Sequence, residues 1–229
     1  MDLNPFTNRL YVSNTNSSFI SIIDYINIGR IVNTKSNTID LDTINCYNGQ
    51  TTGIAVDTFA NKVYVGCNYL DPATNRLLSK IIVIDGITNQ FITEIPTLLN
   101  PEEIRVNPYN HKIVVTHAYS NQITIIDGGK RNKINNTISL GDYSRINYVD
   151  TDLKNNIAYI SRTWSDSVVP LNISSGKLLG GINFNITSSN TTKIECSTNK
   201  NKSFNQYTNG EFLMTEGDTL VSCRNPVDT

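Results

Sequence analysis

The chain has 229 residues, a net charge of −1 and only 17% charged residues, so its charge balance implies neither nucleic acid nor an anionic membrane surface as a partner. No apolar run approaches the roughly 18 residues of a membrane-spanning helix, so no membrane insertion is expected of this segment. Asn, Ser and Thr supply the polar surface, a bias that fits exported and surface proteins, and the strand-forming content suffices for a sizeable core.

In chain order, the first unit covers residues 1–50. Asn8-Arg9-Leu10-Tyr11-Val12 precedes Ile20-Ser21-Ile22-Ile23-Asp24, and most of an innermost strand is missing ahead of them. Asn33 to Gln50 then exceeds an ordinary connector and carries Cys46. The second unit, residues 51–100, is the clearest. Strands are predicted at Ile54–Val56, Lys62–Gly66, Lys80–Ile84 and Phe91–Ile95, all short β-branched or aromatic runs bounded by turn residues. Eight extra residues, Leu70 to Leu77, sit between its second and third strands. The third unit, 101–144, is compact, with His111-Lys112-Ile113-Val114-Val115 before Ile123-Thr124-Ile125-Ile126-Asp127. The fourth, 145–186, is worn: Pro170 falls in its third strand, Asn172 replaces Asp, and its last strand runs from Lys177 to about Ile186.

Tyr11, Tyr64, Val114 and Tyr159 hold equivalent places, 53, 50 and 45 residues apart. Periods of about 40 to 50 residues with several short strands each indicate a propeller array. Asn4-Pro5, Asp57-Thr58 and Asn107-Pro108 suit an Asx turn ahead of the second strand. Asp85-Gly86 and Asp127-Gly128 suit a two-residue hairpin needing positive φ. The strand runs are continuously apolar, as expected of sheets buried on both faces.

The pattern Asn-Lys-(Ile/Val)-Tyr-Val followed by an apolar run ending Ile-Asp-Gly resembles the YVTN-type β-propeller repeats of prokaryotic surface-layer and secreted proteins, over residues 2 to 186. The expected fold is all-β: a β-propeller segment of four four-stranded blades, an incomplete ring, plus a small C-terminal β-module at 187–229. In that module Lys193–Cys196, Glu211–Met214 and Thr219–Cys223 read as short strands. The abrupt start and end imply a piece of a longer protein, and the resemblance implies an extracellular or cell-surface setting. Six Asn-x-Ser/Thr sequons occur, at Asn16, Asn135, Asn172, Asn185, Asn190 and Asn201.

In a four-stranded meander the loops alternate between two ends of the blade. Both enlarged segments, Asn33–Gln50 and Leu70–Leu77, are then expected at one end, where rigid scaffolds bind partners. Tyr69, Arg76, Tyr119, Arg162 and Trp164 fall in loops at that end and are the candidate binding residues, with Asp166 beside them. Cys46 and Cys67 are expected there in adjacent blades, close enough for a bridge, and Cys196 and Cys223 are expected to staple the undersized module. His111 and His117 flank one strand about 20 Å long, so they share neither a metal nor an active site and read as independent surface or turn residues. Asp24, Asp85 and Asp127 recur as turn residues. No calcium loop, phosphate loop or nucleophile elbow occurs, so no catalytic residue, metal or cofactor is assigned. The function expected is a non-enzymatic scaffold that binds a protein or glycan through the insertion end. The alternatives are a propeller enzyme or electron-transfer subunit, whose catalytic His or carboxylate cluster around the central channel would lie in blades outside this chain, and a structural element of a cell-envelope layer.

Overall fold

The computed structural model describes residues 1–15, 17–24, 36–44, 46, 49–129, 131–141, 145–163, 167–183, 195–198, 203–204 and 220–224. The chain divides into two compact units, Met1–Phe184 and Asn185–Thr229.

The first unit holds four antiparallel meanders. The first comprises β1 (Asp2–Asn4), β2 (Arg9–Ser13), β3 (Phe19–Asp24) and β4 (Ser36–Asp40), followed by a 3-10 turn at Leu41–Ile44. The second comprises β5 (Gln50–Asp57), β6 (Lys62–Leu70), β7 (Leu77–Asp85) and β8 (Phe91–Thr97). The third comprises β9 (Pro101–Asn107), β10 (Lys112–His117), β11 (Gln122–Asp127) and β12 (Lys133–Ser139). In the fourth, β13 (Ile146–Asp152), β14 (Ile157–Arg162) and β15 (Ser167–Asn172) are followed by two fragments, β16 (Lys177–Leu178) and β17 (Ile182–Asn183), both paired to β15. The innermost strands β1, β5, β9 and β13 pack in succession, and the arc they form does not close into a ring.

Continuous apolar runs arise because each sheet is buried on both faces. Val63 and Val65 belong to the core shared with the first sheet, whereas Tyr64 between them belongs to the core shared with the third. Ile82 and Ile84 face the first sheet, and Ile81 and Val83 the third. All seven are fully buried. Each such side chain contributes roughly 1.5–3 kcal/mol, so the sheets are held by their neighbours rather than by their own ladders.

The repeat signature encodes junctions between sheets. At the first turn of each sheet an Asx side chain accepts backbone N–H groups: Asn4 from Phe6 and Thr7, Asp57 from Phe59 and Ala60, Asn107 from Tyr109. Its second polar atom reaches a left-handed residue of the next sheet. Asn4 Nδ2 donates to Asn61 Oδ1 at 3.2 Å, His111 Nδ1 donates to Asp57 Oδ2 at 2.7 Å, and Asn107 Nδ2 donates to Asn156 Oδ1 at 3.0 Å. Asn61, His111 and Asn156 have φ of 50°, 57° and 57°, a conformation Asn and His tolerate better than most residues. A second set of bonds aims at the turn glycine of the next sheet. The hydroxyls of Tyr11 and Tyr64 donate to the carbonyls of Gly86 and Gly128 at 2.9 and 3.2 Å. Arg9 Nη1 and Lys62 Nζ donate to the same two carbonyls at 3.0 and 2.7 Å.

The structure corrects several expectations. Gly86 and Gly128 do not have positive φ; Asn89 and Asn132 supply the left-handed residues of those turns. The glycines are needed for close approach. A Cβ on Gly128 would overlap Tyr64 Oη and Ile113 Cδ1, and one on Gly86 would lie 3.0 Å from the Asn61 carbonyl oxygen. The first sheet keeps only a short inner strand, Asp2–Asn4, as expected from its missing residues. Its extra length is not all at the insertion end, because β4 falls inside the stretch expected to be a connector. Ser36–Asp40 is an outer strand paired to β3, so the connector to the second sheet begins only at Leu41. The last strand of the fourth sheet breaks in two at Pro170. The Pro170 carbonyl accepts Leu179 N at 2.9 Å on the outer side, so the amide that proline lacks would have pointed there too.

In the second unit, β18 (Glu195–Thr198) pairs with β19 (Ser203–Phe204) and β20 (Leu220–Arg224), in the order β19–β18–β20. The backbone register sets Cys196 opposite Cys223. Their side chains, and the strand expected at Glu211–Met214, lie outside the described residues.

Candidate functional site

At the end carrying the β6–β7 hairpin, the eight extra residues are not a loose loop. The ladder continues to the pair Leu70↔Leu77, and a turn closes it, with Asp71 N donating to Arg76 O at 2.9 Å and the Asp71 carboxylate accepting from Ala73 N and the Thr74 hydroxyl. Asn75 takes φ of 53° there. The hairpin exposes Leu70, Leu77 and Leu78 at 48%, 49% and 38%, unlike the fully buried residues at its base. Its root is anchored by the Cys46–Cys67 disulfide, with Cα atoms 6.3 Å apart. Both cysteines are buried, so the bridge ties the connector of the first sheet to β6. Asn68 Nδ2 donates to Asn100 Oδ1 at 3.2 Å, and Ser79 Oγ donates to Asn68 Oδ1 at 2.6 Å, fixing the same root to the next connector.

The candidate binding residues spread along this end. Tyr69 is half-buried beneath Lys80, whose Nζ lies 4.1 Å from the ring centre and 3.0 Å from Glu94 Oε2. Arg76 is exposed at the hairpin tip. Tyr119 is 80% exposed and stacks with Arg145, whose guanidinium carbon is 4.1 Å from the ring centre and which also faces Glu102. Arg162 is half-buried and donates to Ser167 Oγ. Trp164 and Asp166 lie outside the described residues. The four described residues lie in or beside the second-to-third-strand connections of three successive sheets, Tyr69 and Arg162 at strand ends, and are spread along one end rather than gathered in a single pocket.

The cavity lies elsewhere. An open cleft of about 370 Å³ lies between the inner strands, lined among others by Asp2, Val56, Arg105, Asp150 and Leu153. Asp2 Oδ2 accepts Val56 N at 2.7 Å, covering an open strand edge. Arg105 is held by Glu103 at 2.9 Å, by the Tyr148 hydroxyl at 2.6 Å and by Asp150 at 3.9 Å. Two carboxylates, Asp2 and Asp150, and one guanidinium, Arg105, thus line this cleft. A signal existed: the residue two places before each turn Asx reads Asp2, Ala55, Arg105, Asp150, so three of the four equivalent positions are ionisable. Among the described residues no group of three His, Cys, Asp or Glu side chains could hold a metal ion.

The histidines also need correction. They do lie at the two ends of β10, but neither is a free surface residue. His111 is half-buried on Asp57, and His117 is fully buried with Nε2 2.8 Å from Thr124 Oγ1. Burial pushes the His117 imidazole down to about 4, partly opposed by the Leu98 and Leu99 carbonyls, which favour its charged form. The folded value lies below the unfolded 6.5, so the unfolded chain binds more protons between those values. The stabilisation is complete above pH 6.5 and is lost as pH falls toward 4. Lowering pH from 7 to 5 is expected to remove about 2 kcal/mol through this group. Urea midpoints for the wild type and His117→Gln should converge at low pH, and parallel curves would disprove the assignment.

No protein-family model matches the chain, and no curated protein matches it. Solved structures do. Hydrazine synthase of Kuenenia stuttgartiensis matches with a TM-score of 0.61 at 20% identity, over 84% of this chain and 50% of that one. The β-propeller domain of Cps50 (Swd1) from Myceliophteria thermophila matches with a TM-score of 0.60 at 10% identity, over 80% and 58%. The fold is a β-propeller. The complex of KlAtg21 with the coiled coil of AgAtg16 also matches, with a TM-score of 0.61 at 14% identity, over 98% and 69%. This propeller chain spans half the length of the hydrazine synthase chain it resembles, and at these identities the likeness concerns the fold alone.

Proposed function

We propose that the chain is a non-catalytic β-propeller scaffold that holds a protein partner on its insertion end. The observation that carries this is the braced β6–β7 hairpin, which presents Leu70, Leu77 and Leu78 to solvent at the end that also carries the Tyr119–Arg145 stack. Exposed leucines on a braced hairpin, with an aromatic and an arginine at the same end, have the make-up of a protein-binding patch more than of a sugar site, where aromatic platforms and amides dominate. The buried disulfide fits an oxidising setting such as the cell surface or the extracellular space. No described helix is long and apolar enough to cross a membrane.

The test is binding of a panel of extracellular protein domains and of a glycan array to the full chain, its Leu77→Lys variant and its Tyr119→Ala variant. Both positions are exposed, so folding is expected to be unchanged while affinity for a protein partner falls at least tenfold, as for central contacts of an interface. Binding confined to glycans, or binding indifferent to both changes, would overturn the reading.

A further inference from the structure

The three internal junctions follow one rule, and the rule leaves two unmatched halves. At one end of the arc, Asn8 has the left-handed φ of 54° shared by Asn61, His111 and Asn156, yet it is exposed where they are half-buried. Around it the outer face of the first blade presents Leu3, 42% exposed, and half-buried Leu10, Val12 and Ile23. At the other end, Asp152 occupies the place of Asn4, Asp57 and Asn107. It accepts Asn155 N at 3.0 Å, and its second oxygen accepts the Asn155 side-chain amide at 2.7 Å, both within its own turn. Beside it Ile157, Tyr159 and Val168 are half-buried, although the equivalent Tyr11 and Tyr64 are fully buried in junctions.

We propose that these two faces join head to tail between two copies of this chain, with the Asn8 amide of one copy donating to the Asp152 carboxylate of the other. The pairing is chemically matched. Asp152 can only accept, Asn8 can donate, and the geometry repeats the Asn4–Asn61, Asp57–His111 and Asn107–Asn156 contacts already present. The apolar residues around each half are of the kind the internal junctions bury. A contact between two different faces leaves one of each free on every pair, so two copies satisfy all four faces only by closing on each other through two identical junctions.

The mass of the full chain is read by light scattering across concentration. The expected result is a dimer, twice 25.5 kDa. N8D sets two carboxylates against each other and should raise the dimer dissociation constant at least tenfold, whereas D152N alone should change it less than threefold, since Asn–Asn pairs serve at two internal junctions. The double variant N8D/D152N should return to within threefold of wild type. The two residues lie in different blades, so this rescue cannot come from repaired folding of either one. A monomer at every concentration, an assembly that N8D leaves intact, or N8D dissociation that D152N does not reverse would each overturn the proposal.

Discussion

Replacing both Cys46 and Cys67 by alanine is expected to lower the unfolding free energy by about 3 kcal/mol, the chain-entropy cost of opening a loop of this length. The two are 21 residues apart in sequence. The cross-link joins the first blade's connector to β6 of the second blade, so its removal should loosen the insertion end before the rest. Urea unfolding of the double variant measures the size of the effect. Hydrogen exchange should place the earliest gain at 41–51 and at the β6–β7 hairpin. A loss below about 1 kcal/mol would mean that the surrounding packing alone sets this geometry.

The second large effect is expected at a glycine. Gly128→Ala places a methyl group where Tyr64 Oη and Ile113 Cδ1 already sit. Overpacking of this kind costs about 1–3 kcal/mol, and displacing the Tyr64 hydroxyl from the Gly128 carbonyl adds about 1 kcal/mol. Gly86→Ala, with its nearest neighbour at 3.0 Å, should cost less. The chain itself shows the remedy. At the junction of the third and fourth blades the tyrosine is Val114 and the glycine is Ile173, and both are buried in one apolar cluster. Tyr64→Val combined with Gly128→Ala should therefore be less destabilised than the sum of the two single changes. Strict additivity in the denaturation free energies would disprove the coupling.

This paired exchange explains what was legible in the sequence. The four-fold spacing of Tyr11, Tyr64, Val114 and Tyr159 was readable because the junction repeats, and so the blades, their strands and the proximity of Cys46 to Cys67 followed from period alone. The purpose of the signature was not readable from one blade. Asp-Gly looks like a hairpin turn locally, yet Gly128 answers to Tyr64, which is 64 residues away. His111 likewise looks like a turn residue until Asp57 of the preceding blade is set beside it. The cleft charges escaped because each lies in a different repeat, and only superposing the four repeats brings Asp2, Arg105 and Asp150 together. His117 escaped for a simpler reason. It ends a strand whose next residue is a turn, and polarity suggested solvent where Thr124 and the Leu98–Leu99 backbone enclose it.

The interrupted outer strand of the fourth blade has a consequence for colloidal behaviour. A long, straight sheet margin is a template on which foreign polypeptide can add, and such growth underlies fibril formation. Here Pro170 withdraws one amide from that margin, and the strand beyond it survives only as two-residue pieces, Lys177–Leu178 and Ile182–Asn183. Pro170→Val would be expected to mend the margin and, with it, to make this part of the chain more prone to fibrillise.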